Sequence, residues 1–415
     1  RQGRSRACMP RMAWHTWSGV TTMPGTTIAG TVAALAEALA ESHSLGSARR
    51  IRGSGTWLDA GRPVHAEHTL ETRGTAGVVE YVPGDLVITV GAGTTLRELA
   101  AVTREHNQWL GLDPFGSDAG TIGATVATAS SGPLSSGMGR VRDLVLGIAM
   151  LASDGSAVRA GGRVVKNVAG FDLVRLATGA YGTLGVITEV SLRLHARPEV
   201  DETFAVALDV DAASVAGRET TDFGLSTLNF VALELVNRQA INMPDVAVGT
   251  GDGWTLLARV AGNRERVRAQ RALLQQFGAP VGVSNEAWQR LRAMDGERTA
   301  VVRVSDAQSR LWATVHAVQQ ALASAGIADA AVCATPSTGR VRVAVPNRED
   351  DDAAVRTLVK RMRDIGASVV WERLPADCWA WVHPAATDPV SVRIRDAFDP
   401  HHTLNRGIFG PMGGH

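Results

Sequence analysis

The stretch Gly161–Leu194, GGRVVKNVAGFDLVRLATGAYGTLGVITEVSLRL, carries more information than any other part of this 415-residue chain. It contains Lys166, one of only two lysines; the other is Lys360, and every other basic residue is an arginine. Lysine is a compact charge on a flexible stem, whereas arginine is a planar fork of donors. A lysine set in a glycine-rich, apolar segment therefore reads in two ways. It is a small cation placed at a site, or it is half of a surface pair with Asp172. Further on, Val186, Thr188, Val190, Leu192 and Leu194 alternate with Ile187, Glu189, Ser191 and Arg193. That period of two predicts a strand with one buried face.

Length and composition set the frame. At 415 residues the chain exceeds one typical domain of ~100–200 residues, so two domains are expected. A hydrophobic content of 45% fits an ordinary globular protein. The net charge of +1 gives no electrostatic reason to expect a nucleic-acid or anionic-membrane partner. Cys8, Cys333 and Cys378 lie far apart with no CxxC, which excludes a disulfide framework and an in-chain cysteine-held iron–sulfur cluster. A cytoplasmic location is expected on that basis. No apolar run reaches the ~18 residues of a transmembrane span. Residues 1–24 start without Met and have no apolar signal core; they are expected to be a disordered or non-native tail.

Along the chain, Val32, Leu35, Ala36 and Leu39 predict a helix around Thr27–Ser42. Leu86–Val90 reads as a buried strand, and Thr95 with Glu98 has capping-box spacing at the start of a helix. Asp154-Gly155 marks a hairpin turn. After Arg197-Pro198 the glycines thin out and strands alternate with amphipathic helices. Helices are predicted at Asn263–Phe277 (burying Val267, Leu273, Leu274 and Phe277), Asp306–Ala325 and Asp350–Asp364, with strands at Thr299–Val304, Arg340–Pro346 and Ser368–Arg373. A final helix spans Pro389–Phe398 and leads to the turn Leu404-Asn405-Arg406-Gly407.

Three glycine-rich segments bear on chemistry. Arg52-Gly53-Ser54-Gly55-Thr56 follows a strand and offers consecutive backbone N–H groups; it is a nest for a pyrophosphate or simply a turn. Gly120-Thr121-Ile122-Gly123-Ala124 opens a run of small residues that leaves room for a flat ligand, or for close helix packing. The third segment is the one quoted first. The dinucleotide fingerprint GxGxxG fails at both Gly53 and Gly91, and no GxxxxGK[ST] is present, which excludes a Walker-type ATPase.

Together these pieces resemble the PCMH-type FAD-binding domain of the vanillyl-alcohol-oxidase superfamily, and within it the FAD-binding E-type subunit of glycolate oxidase. The matching residues are RGSGT (Arg52–Thr56), PGDLVITVGAGTTLREL (Pro83–Leu99), DPFG (Asp113–Gly116), GTIGATVA (Gly120–Ala127) and RVRDLVLG (Arg140–Gly147). GGRVVKNVAGFDL (Gly161–Leu173), GTLGVITEVSL (Gly182–Leu192) and AFDPHHTLNRG (Ala397–Gly407) complete the set. The resemblance implies an α+β fold: a PCMH-type FAD domain of two α+β subdomains at 25–197, a smaller α+β cap domain with an antiparallel sheet at 198–385, and a C-terminal segment at 386–415 that returns to the FAD domain. It also implies that Arg52, Gly53, Ser54, Gly55 and Thr56 wrap the FAD pyrophosphate, and that Gly120, Thr121, Gly123 and Ala124 line the flavin and ribityl region. Gly182, Gly185 and Ile187 would contact the dinucleotide, with Asn405 from the C-terminal turn, and Lys166 and Asn167 would lie near the flavin and tune it. Thr56-Trp57 stands where relatives attach flavin through a His, so FAD is expected to be noncovalent. Two departures are Ala124, where the family usually has a second glycine, and Arg406, where it reads Asn-Pro-Gly.

What the chain lacks shapes the functional expectation. Oxidising a 2-hydroxy acid needs a base, a cation for the carboxylate and a hydride acceptor. The GEHGIG-like histidine motif of catalytic relatives is missing. His401-His402 reads as a turn, His65 and His68 as loop residues, and no metal site is expected. Arg340, Arg342, Arg393 and Arg395 are candidates for a carboxylate clamp or plain surface residues, so no catalytic residue is assigned. Three readings stay open. The first is an FAD-bearing subunit of a glycolate oxidase complex, acting beside a catalytic FAD subunit and an iron–sulfur subunit. The second is a stand-alone FAD-linked dehydrogenase of another alcohol or 2-hydroxy acid. The third is a redox-silent structural subunit.

Overall fold

The computed structural model describes residues 21–23, 26–162, 172–208, 230–241, 253–296, 299–346 and 352–411. Lys166 and Asn167 lie outside the described residues.

The helix expected from Thr27 begins later, at Val32, and runs to Leu45. Thr26–Ile28 is instead a strand. Thr31 breaks the two apart, because its side-chain oxygen accepts from Ala34 N at 3.1 Å and caps the helix. Left-handed Gly46 (φ 64°) closes the other end. The apolar period ran on into Thr26-Thr27-Ile28, and β-branched residues in a row favour strand over helix. With His68–Glu71 and Arg49–Arg52, this strand and Thr21–Met23 form a four-stranded sheet.

A second, antiparallel sheet orders its five strands as Val78–Val82, Val87–Gly91, Val186–Arg193, Val145–Leu151 and Ala157–Gly161. Its centre is the alternating strand singled out from the sequence. The strand is more buried than its alternation implies, since Ile187 on the second face is also buried. Helices Leu96–Arg104 and Ile122–Thr128 contribute Leu99, Ile122 and Val126 to the core over this sheet. The capping box is present, with Thr95 Oγ1 accepting from Glu98 N and Glu98 Oε2 accepting from Thr95 N at 2.8 Å. The Asp154-Gly155 hairpin forms between the last two strands, with Gly155 at φ 84°.

From Val200 onward a third sheet of eight strands is antiparallel throughout, running from Val281–Val283 at one edge to Ser368–Arg373 at the other. One face packs on helices Arg264–Leu274, Leu311–Ser324 and Asp352–Arg363 through Val267, Leu274, Val315, Val318, Leu358 and Met362. These helices are shorter than their apolar periods suggest; a 3-10 turn at Gln308–Arg310 precedes the second. Leu273, expected in the core, is 37% exposed because Val267 and Leu274 set the buried stripe. The other face meets Phe115 and Leu134 of the N-terminal half. That face bears polar side chains, and it sets one wall of the cavity described next.

Candidate functional site

The strand Arg49–Arg52 delivers the Gly53–Thr56 loop into a cleft of about 850 Å³. None of the backbone N–H groups of Gly53, Ser54, Gly55, Thr56 and Trp57 donates to an acceptor among the described residues. These five amides are half-buried, and successive donors without a protein acceptor suit a bound anion. Ser54 Oγ donates to Ala119 O at 2.6 Å and ties the loop to the second glycine segment. Arg50 and Arg52 flank the nest. Arg52 Nε is buried without a hydrogen-bond partner, its nearest carboxylate oxygen being Glu71 Oε2 at 3.6 Å. Burial holds the Arg50 guanidinium below its ordinary pKa.

The glycines here answer to close packing. A Cβ on Gly53 would sit 2.3 Å from Thr121 Oγ1, and one on Gly123 would sit 2.7 Å from Ala92 Cβ. Gly182 (φ 69°) lies in the left-handed region that favours glycine. Ala124 and Ala127, on helix Ile122–Thr128, join Val186 and Ile187 as small or apolar walls of the same cleft. Gly120 and Thr121 line an adjoining space shared with Thr56 and Ala124. Of the residues singled out from sequence, Arg52 to Thr56, Gly123, Ala124, Gly182, Gly185, Ile187 and Asn405 line this groove, and Gly120 and Thr121 line the adjoining space. Lys166 and Asn167 fall outside the described residues.

Asn405 closes the groove from the far end of the chain. Its side-chain oxygen accepts from Ile51 N at 2.8 Å, and its amide donates to Tyr181 O at 2.7 Å. Its own backbone N–H donates to Arg49 O at 3.0 Å. Asp399 holds the turn, accepting from Thr403 N and Leu404 N at 3.0 and 2.8 Å. Arg406, a departure from the family pattern, donates through Nε to His402 O at 2.9 Å and leaves the Asn405 contacts in place.

Sequence reasoning missed Trp57 and Tyr181. Trp57 lines the groove and both neighbouring spaces; Tyr181 lines the groove and the larger of the two. Burial pushes the Tyr181 phenol up to about 12, so it stays protonated at ordinary pH. Neither residue carries a local signal beyond being aromatic; their place follows from tertiary folding.

The larger space, about 1320 Å³, lies between this groove and the polar face of the eight-stranded sheet. Register puts Thr335 opposite Arg340, Cys333 opposite Arg342 and Arg342 opposite Arg303. Arg342 bonds Asp295 through two nitrogens at 2.9 and 2.6 Å and Glu372 at 2.7 Å, while Arg303 meets Glu372 at 2.9 Å. Although burial opposes it, this pairing draws the Glu372 carboxyl down to about 2. Glu234 is different: it accepts from Cys333 Sγ at 3.1 Å and Thr335 Oγ1 at 2.9 Å, and burial pushes it up to about 7. Asp113, in the DPFG segment, is likewise raised to about 7 by burial while accepting from Leu134 N at 3.0 Å. Among the described residues no cluster of His, Cys, Asp and Glu is suited to a metal ion.

A nest of free amides, two flanking guanidinia and flat apolar walls suit a dinucleotide carrying an aromatic ring system. Comparison with known proteins agrees. Residues 24–161 match the family described as FAD binding domain. The chain is similar to the glycolate oxidase subunit GlcE of Escherichia coli, with 43% identity over 36% of this chain and 42% of that protein. It is also similar to the glycolate oxidase subunit GlcD of Bacillus subtilis, with 32% identity over 39% of this chain and 35% of that protein. The chain therefore spans less than half the length of each of these relatives. Among solved structures, an alkyldihydroxyacetonephosphate synthase shares the fold, with TM-score 0.66, 16% identity and coverage of 92% of this chain and 75% of that one.

Proposed function

We propose that the chain is the FAD-bearing subunit of a glycolate oxidase or dehydrogenase complex and supports oxidation of glycolate, a 2-hydroxy acid, to glyoxylate. The observation that carries this reading is the run of five unpaired amides at Gly53–Trp57, inside a matched FAD-binding domain and facing apolar walls. Similarity to two glycolate oxidase subunits supports the substrate class and the multi-subunit setting. Arg52 to Thr56 would hold the pyrophosphate by charge-assisted and amide hydrogen bonds. Gly120, Thr121, Gly123, Ala124, Gly182, Gly185 and Ile187 would line the isoalloxazine and ribityl portions, with Asn405 fixing the loop that carries Ile51. FAD supplies a two-electron acceptor when bound; the chain's residues orient it and exclude water. Noncovalent attachment is part of the proposal; among the described residues that line the groove none is His or Cys.

The partners proposed are a catalytic FAD subunit and an iron–sulfur subunit. No helix among the described residues is long and apolar enough to cross a membrane; a cytoplasmic setting is part of the proposal. Lys166 and Asn167 are kept as flavin-tuning candidates, tested by whether Lys166→Met changes flavin content or reduction potential.

The deciding measurement is the visible spectrum of the purified chain, before and after glycolate or D-lactate, with and without partner subunits. Flavin bands that acid precipitation releases into the supernatant, and that bleach only with partner present, are expected. A chain that stays colourless after reconstitution with FAD overturns the reading. The second reading, a stand-alone dehydrogenase, is favoured by the arginine-lined space beside the groove; bleaching by a 2-hydroxy acid without any partner would establish it.

A further inference from the structure

We propose that Arg373, on an edge strand of the eight-stranded sheet, is a positioning residue for the cofactor: it fixes the indole of Trp57, and the indole sets how the flavin ring sits. The proposal rests on the reading that the groove holds FAD. It makes the second half of the chain govern a cofactor that Arg373 does not touch.

Trp57 stands at a junction. Among the described residues, only Trp57 and Thr128 line the groove and both neighbouring spaces. The groove joins the smaller space, which carries Gly120 and Thr121, at Thr56, Trp57, Ala124 and Thr128. A ring system that spans the two therefore lies against Trp57, the one aromatic side chain of these four. A flat ring gains both buried area and π contact from an indole. The orientation of that indole then decides where the ring comes to rest.

The indole is held from both halves of the chain. Gly116 leaves room for its edge, since a Cβ there would sit 2.7 Å from Trp57 Nε1. From the other half, Arg373 ends the edge strand Ser368–Arg373 and lays its guanidinium over the ring, with Cζ 5.4 Å from the centroid. That is inside the ~6 Å range of a cation–π contact. Arg373 is held in turn. It is 5% exposed, donates through Nη1 to Gly296 O and has Nε 3.2 Å from Asp59 Oδ1. The backbone is tied at the same place, Gly61 N donating to Glu372 O at 2.7 Å. Arg373 lines none of the three spaces, so it reaches a ligand only through the group it holds. A side chain that touches a ligand is only as well placed as the groups behind it.

The experiment uses the full chain loaded with FAD and reads its affinity, the visible circular dichroism of the bound flavin and the flavin emission. Emission is read in a Tyr181→Phe chain, which leaves Trp57 as the one indole or phenol in the described lining of the groove. A touching indole lends an electron to a light-excited flavin and takes it back, which quenches the emission. Arg373→Gln is expected to change the dichroism, raise the emission and weaken FAD binding roughly three- to tenfold, the size of one cation–π contact. Arg373→Lys keeps a cation at the position and should restore part of each signal. In a Trp57→Leu background, Arg373→Gln should change none of the three further, because the route runs through the indole. An Arg373 that merely ties the two halves together would give the same losses with and without Trp57, and that additivity overturns the proposal. So does a folded Arg373→Gln chain whose flavin matches wild type. If Arg373→Gln does not fold, Asp59→Asn loosens the same guanidinium from an exposed position; a smaller change of the same sign is expected, and unchanged dichroism overturns the proposal. A chain that takes up no FAD sinks the flavin reading and this proposal together, whereas FAD uptake with signals indifferent to Arg373 sinks this proposal alone.

Discussion

At the residue scale, Glu234 makes a prediction about pH. Its folded pKa is raised by burial from 4.5 to about 7. The folded state therefore holds a proton across that interval which the unfolded state has released. The linked stability is fully present below about 4.5 and is lost as pH rises through about 7. The melting temperature should fall between pH 5 and pH 8, and Glu234→Gln should flatten that fall. An unchanged slope in the variant would show that other groups, such as Asp113, dominate. Gly53 gives a second prediction. A Cβ there would lie 2.3 Å from Thr121 Oγ1, so Gly53→Ala should displace the nest and cost on the order of 1–3 kcal/mol in stability or cofactor binding. Flavin retained per chain after gel filtration, with urea midpoints, reads both effects. These residues differ in how well sequence exposes them. Gly53 is legible because a glycine in a turn after a strand has few reasons to exist. Glu234 is not, because nothing local tells a mid-strand glutamate facing a cavity from one facing solvent.

Elements were legible where a local rule dictated them. The capping box at Thr95, the hairpin at Asp154-Gly155 and the strand Val186–Arg193 each follow from a few neighbouring residues. Helix ends were less so: Thr26–Ile28 joined a sheet through the distant strand His68–Glu71, a partner no local period reveals. The C-terminal turn is the element whose role depends most on contacts remote in sequence. Asn405 adopts φ 45°, a left-handed conformation that Asn tolerates and Ala does not favour. Replacing it tests hydrogen bonding apart from backbone strain. Asn405→Gly keeps the backbone relaxed but loses the bonds to Ile51 and Tyr181, and should cost about 1–3 kcal/mol. Asn405→Ala should cost more. If the Gly variant matches wild type in thermal stability and flavin content, the clamp contributes nothing.

At the scale of the whole molecule, the eight-stranded sheet and the glycine-rich half meet through apolar packing, backbone hydrogen bonds and ion pairs. Arg292 is buried, donates to Pro114 O at 2.8 Å and pairs with Asp118 at 2.5 Å, while its own carbonyl accepts from Gly116 N at 2.8 Å. Arg292→Ala removes a buried guanidinium and frees the loop carrying Phe115, which lines both side spaces. The expected loss is about 2–4 kcal/mol, seen in urea unfolding, with weaker flavin retention. The groove's existence was readable from its glycines, but the arginine-lined cavity was not, because its walls come from both halves and its charge balance depends on pairs formed only on folding. The Asn405 clamp has one more consequence, in the order of assembly. Its bond to Ile51 spans 354 positions, so it closes nearly the whole chain on itself. During synthesis the nest at Gly53 emerges hundreds of residues before the turn that secures it. The clamp cannot form until residue 405 has been made, so a chain that stalls earlier leaves the groove unfastened.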